Sequence, residues 1–194
     1  HLGFSDDCSS ARDRLVQLRI DTSLAQPDGG LPQLFLSTYS DSLCTALFRR
    51  LVRNGTWQVP TLALRRQDAP TIDSTLPPLD SYLQYVTGRE RTAWATQRRM
   101  AAQRTTPQQA EIRRRRFHKF LDIVAAMQRA DVPILAGTDV GNPWLVAGFS
   151  LHDELALFVH AGVTPLAALQ AATINAARYL GALDSLGTIA EGKV

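Results

Sequence analysis

Asp139 closes the run Pro133-Ile134-Leu135-Ala136-Gly137-Thr138-Asp139-Val140-Gly141, a short apolar stretch that ends in Gly-Thr-Asp-x-Gly. This pattern reads as a fully buried strand that delivers one carboxylate at its C-terminal tip. A carboxylate placed there can take a proton from an attacking water and hand it to a leaving group. It can equally be a ligand for a divalent cation. The plainer reading is an Asp that caps the following turn, because Asp and Gly both favour turns. Trp144 lies just beyond Asp139 and His152 at the start of the next helical stretch.

Several elements must position this carboxylate. Asp41 to Gly55 reads as a helix, with Asp41 or Ser42 as cap, Gly55 as left-handed stop and Leu43, Ala46, Leu47, Phe48 and Leu51 as its apolar stripe. Trp57–Leu62 follows as a strand, with Pro60 near its end. Residues 68–79, which contain Pro70, Pro77 and Pro78, read as a long excursion. A helical region comes next, with Tyr82, Leu83, Tyr85 and Val86 as its buried residues. Pro107 to Ala130 keeps helical spacing through Ile112, Phe117, Phe120, Leu121, Val124 and Met127, with Pro107 in the first turn. Val132–Ala136 is then a second strand, parallel to Trp57–Leu62 across a long helical crossover. Short helices are expected over His152–His160, from Thr164-Pro165 through Ala172, and over Asn175–Leu180; Gly187 to Val194 turns toward extended structure.

The 194 residues amount to about one domain, and 45% hydrophobic content is ample for a packed core. No apolar run approaches the roughly 18–20 residues of a membrane span, so no membrane partner is expected. The net charge is +3 and the pI near 9.2, with Lys119 and Lys193 as the only lysines. Arg113-Arg114-Arg115-Arg116 suggests phosphate contacts. The run shares a helix with an apolar face and has no aromatic or Gly-rich interleaving, so a solvated face is the better reading and no nucleic acid is expected. Cys8 and Cys44 match no metal motif and do not settle the redox compartment. A cytoplasmic location is only a default, and an exported parent stays open. His118, beside the Arg run, reads as solvent-facing, and His160, at a helix end, as structural.

Five segments then resemble a known family in the right order: Ile134–Asp139, His152-Asp153-Glu154-Leu155, Ala161–Leu169, Ala172–Ala177 and Leu186–Val194. They resemble the C-terminal third of the metal-dependent amidohydrolase superfamily, in its imidazolonepropionase-like and metallo-dipeptidase branch. Gly55–Leu62 resembles that family's seventh barrel strand. The resemblance implies an α/β fold, here an incomplete C-terminal portion of a (β/α)8 TIM-like barrel. Residues 1–182 would be that partial barrel, and 183–194 the start of the return to a small β-sandwich domain. It implies one or two divalent metals, often zinc, with Asp139 as the eighth-strand Asp. His1 stands where the family places its sixth-strand ligand, or is an ordinary terminal His. His152 would orient the metal site or touch substrate, or simply bond to backbone. Trp144 would line a substrate pocket, or merely pack.

The implied activity is hydrolysis of a cyclic or dipeptide-like C–N bond in a small-molecule substrate by metal-activated water, with Asp139 as proton shuttle. The departure from the family is large: no His-x-His pair occurs, and no Lys lies on a plausible fourth strand. Three or four ligands fix such a metal, whereas this sequence offers at most two. The chain is therefore expected to be a fragment that holds metal weakly and associates with a missing N-terminal barrel half or with itself. The alternatives are a non-catalytic α/β binding or assembly module and a basic nucleic-acid-binding segment.

Overall fold

Helices, α or 3-10, are the only regular elements among the described residues of this computed structural model, which are 2–21, 30–67, 69 and 82–193. After a 3-10 helix at Leu2–Cys8 come α1 (Arg12–Ile20), α2 (Gly30–Thr38), α3 (Asp41–Arg53), α4 (Leu62–Arg66), α5 (Gly88–Arg104), α6 (Pro107–Arg129), α7 (Phe149–His160), α8 (Pro165–Ala172) and α9 (Ile174–Leu180). His1 and the proline-bearing stretch 70–81 lie outside the described residues.

The expected portion of a (β/α)8 barrel is therefore corrected: there is no strand and no sheet among the described residues. Trp57–Leu62 and Val132–Ala136 meet at one parallel bridge, Gln58 with Ile134. It is closed by Gln58 N to Pro133 O at 2.9 Å and Leu135 N to Gln58 O at 2.8 Å. A parallel ladder would continue through the amides of residue 60 on one side and residue 133 on the other. Both are prolines, which have no amide hydrogen to give. Thr56 N turns instead to Leu51 O, and Leu62 already begins α4. The segment after α6 is held by helices: Ala136 N donates to Ala171 O at 3.0 Å, and Asn175 Nδ2 to Ile134 O at 3.0 Å. Residues 183–193 form turns, bends and irregular segments.

α6 is the spine of the core. It opens with a capping box, Thr106 with Gln109, and Pro107 in the first turn. It buries Ile112, Phe117, Phe120, Leu121, Ile123, Val124 and Met127, including all six apolar residues expected from the spacing. α2 packs along it, with Phe35 and Phe120 ring centroids 5.9 Å apart. α3 is capped by Ser40 rather than by Asp41 or Ser42, and buries Cys44, Leu47, Phe48 and Leu51. Leu43 and Ala46 are exposed, because the buried stripe runs one residue later, through Cys44. Cys44 is bonded to Cys8, and both are buried, so α3 is tied to the N-terminal 3-10 helix. Asp6 in that helix receives two bonds from the Arg19 guanidinium, at 2.6 and 3.0 Å.

α5 is of another kind, for none of its residues is buried. Thr87 caps it by accepting from Glu90 N, and its Ala-, Gln- and Arg-rich sequence has high helical propensity. Tyr82 and Tyr85 before it stack on Phe149, at centroid distances of 4.3 and 4.7 Å. Tyr85 is nonetheless 64% exposed, not buried as its apolar neighbours suggested. α5 and α6 together carry eleven cationic and three acidic side chains, a net +8; against +3 for the whole sequence, this leaves −5 for the rest.

Candidate active site

Asp139 sits on an exposed turn five residues past the bridge residue Ile134. Its φ is +60°, in the left-handed region that Asp tolerates better than most side chains. Asn142 Nδ2 donates to its carbonyl at 2.9 Å, closing the turn. Gly141 follows at φ +111° and Trp144 at +66°. A bulky aromatic residue in that region is a backbone outlier, and such outliers collect at sites where the surroundings enforce them. The Trp144 side chain meets α5. The Arg98 guanidinium stands over the Trp144 ring at 4.7 Å, and the Trp94 and Trp144 centroids are 6.1 Å apart.

Gly137 is required by close approach rather than by conformation. A Cβ placed on it would meet Val59 Cγ1 at 2.6 Å. The two extended segments are thus in side-chain contact two residues before Asp139. Because they run parallel, Thr61 and Asp139 lie beyond the same end of the pair. Thr61 also has a left-handed backbone, φ +53°, and its Oγ1 is buried without a hydrogen-bond partner.

Against the start of α4 lies Glu154 of α7, which the sequence reading did not single out. Its Oε1 accepts from Leu62 N at 2.9 Å and its Oε2 from Ala63 N at 2.6 Å. The residue is 0% exposed. Burial pushes its carboxyl up to about 7, while the backbone amides of Ala63 and Leu62 pull the other way. The signal was present in the sequence, since Ser150, Glu154, Leu157 and Phe158 form the buried stripe of α7 and Glu154 is its only ionisable member. Next to it, burial raises the Asp153 carboxyl against the opposing pull of Arg66 and His152.

His152 falls in the first turn of α7, exposed, since that helix begins at Phe149 rather than at His152. His118 is half-buried on α6, and His160 is exposed at the end of α7. Among the described residues no group of three or more His, Cys, Asp or Glu could hold a metal ion. Asp139 and His152 do not by themselves make a metal centre. A cavity of about 320 Å³ bordered by Trp57, Asp131, Pro133, Asn175 and Arg178 opens at the start of the 132–136 segment, away from Asp139.

The sequence profile of the amidohydrolase family matches residues 85–194, more than half of the chain, and spans Asp139, Trp144, His152 and Glu154. The chain belongs to the amidohydrolase family. Hydrolase activity is what this family suggests, and its members usually bind metals. No curated protein and no solved structure matches the chain at a significant level.

Proposed function

We propose that these residues form the C-terminal part of an imidazolonepropionase-like amidohydrolase that cleaves a cyclic or dipeptide-like C–N bond, with Asp139 as proton shuttle. The observation that carries this reading is the Gly-Thr-Asp turn. Within the family match, it presents one carboxylate on an exposed, left-handed backbone beside an equally constrained Trp144. Asp139 accepts a proton from the attacking water and returns it to the departing amine nitrogen, so the carboxylate is regenerated. The Trp144 ring, backed by Trp94 and Arg98, forms one wall beside that exchange. A bound divalent metal, zinc by resemblance, would supply a water acidic enough to react at neutral pH. The described residues do not complete a site for it, which is why we assign this chain one part of a larger centre. His1, outside the described residues, is the proposed second ligand, and His152 a group that meets substrate.

In the complete enzyme, Asp139→Asn keeps the size of the side chain and removes the proton acceptor. Turnover should fall by about 10²-fold or more, with the circular dichroism spectrum unchanged. Full activity of that variant would overturn the assignment.

A further inference from the structure

We propose that Glu154 is a positioning residue for Asp139, acting through the Pro60–Leu62 turn. The inference rests on the reading of Asp139 given above. Each link in the chain of contact is visible. The Glu154 carboxylate holds Leu62 N and Ala63 N, one oxygen to each. Those amides begin α4, immediately after the left-handed Thr61. Two residues before Thr61, Val59 packs against Gly137 so closely that no Cβ fits there, and Gly137 precedes Asp139 by two residues. The bridge of Gln58 and Ile134 locks the two segments at their other end.

A carboxylate is suited to this task where an amide is not. Both of its oxygens accept, so it satisfies two adjacent helix-start amides at once. Gln offers one acceptor and one donor, and its donor would face an amide hydrogen. The dense contact at Val59 and Gly137 then carries any shift of the turn to Asp139, because packed interiors transmit displacement. Misplacement of a reacting group by about 1 Å costs as much as 10²-fold in rate.

The test uses the complete, metal-loaded enzyme, with metal content measured for each variant. Glu154→Gln should lower kcat about tenfold or more at nearly unchanged KM and metal content. Hydrogen exchange should quicken at Leu62 and Ala63 and also at the bridge amides of Gln58 and Leu135. Gly137→Ala should give a similar loss of kcat without touching Glu154, and Val59→Ala added to it should restore activity by removing the obstructing methyl. That pair keeps the proposal testable if Glu154→Gln does not fold. Quickened exchange confined to Leu62–Arg66 with wild-type kcat would show a mere helix cap and overturn the proposal. So would failure of Val59→Ala to rescue Gly137→Ala. A fully active Asp139→Asn would instead defeat the reading of Asp139, while the exchange at Gln58 and Leu135 would still decide the Glu154 linkage.

Discussion

Cys8 and Cys44 fasten the N-terminal helices through a covalent bond, whereas the Pro60–Leu62 turn is fastened by Glu154, a carboxylate divided between two amides. Both fasteners are buried, and both join segments far apart in sequence, 36 residues in one case and about 91 in the other. They differ in what they respond to. The disulfide is indifferent to protons and sensitive to thiols, while the carboxylate is the reverse. The two regions can therefore be loosened one at a time, by different reagents, in the same molecule.

The largest effect is expected from Glu154→Ala, which leaves two buried amides without acceptors. At about 1–3 kcal/mol for each stranded group, unfolding free energy should fall by roughly 4 kcal/mol, read from urea titration. A loss below about 1 kcal/mol would mean that solvent reaches those amides freely. Next comes the disulfide. Closing a loop of 36 residues is worth about 3–4 kcal/mol, so Cys44→Ser or added reductant should lower the unfolding free energy from urea titration by that amount. The loss should also be independent of pH between 5 and 7.5. A strong pH dependence would mean that the two regions are not separable.

The third effect is smaller and its sign is unusual for an acid. Glu154 titrates at about 7 when folded against an ordinary 4.5, so between those values the folded chain binds more protons than the unfolded one. Stability should therefore fall as pH rises from about 4.5 to 7 and stay level above, by no more than about 3 kcal/mol. Asp153, whose carboxyl is also raised by burial, adds to the same slope. In Glu154→Gln the slope should shrink, and a stability that rises through this range would contradict the balance described here. The smallest effect concerns the outer face of α8 and α9. Leu166 and Leu169 on α8 and Tyr179 and Leu180 on α9 are more than half exposed, and we propose them as a self-association contact. Leu166→Lys with Leu169→Lys should reduce hydrophobic-dye binding and shift sedimentation toward the monomer. Stability should move by no more than about 0.5 kcal/mol per site. Unchanged sedimentation would exclude this face as the contact.

The same contrast shows what could be read from residues alone. α6 was legible because six apolar residues at helical spacing must share one face, and all six are buried. α5 had no such stripe to betray it, and its helix rests on propensity and on the Thr87 cap. The two expected strands were misread because an apolar run records burial, not pairing. Pro60 and Pro133 each delete the donor that would have extended the bridge, and that is visible only once the register is known. The joining of Cys8 to Cys44 depends on how a 3-10 helix meets α3, which spacing does not encode. For the candidate site, the sequence offered Asp139, Trp144 and His152 in one stretch as candidates. It did not supply the backbone signs at Asp139 and Trp144, nor the partnership of Glu154 with a turn about 91 residues away.

The concentration of positive charge on α5 and α6 bears on how this molecule meets others. A net +3 suggests a weakly cationic particle, but eleven cationic against three acidic side chains on two consecutive helices make a patch of net +8. In dilute salt, where screening reaches about 30 Å, it will turn those helices toward any anionic matrix before contact. Retention on a cation exchanger should then exceed what the net charge implies. Near 0.15 M salt the screening distance drops to about 8 Å, and the orientation is lost.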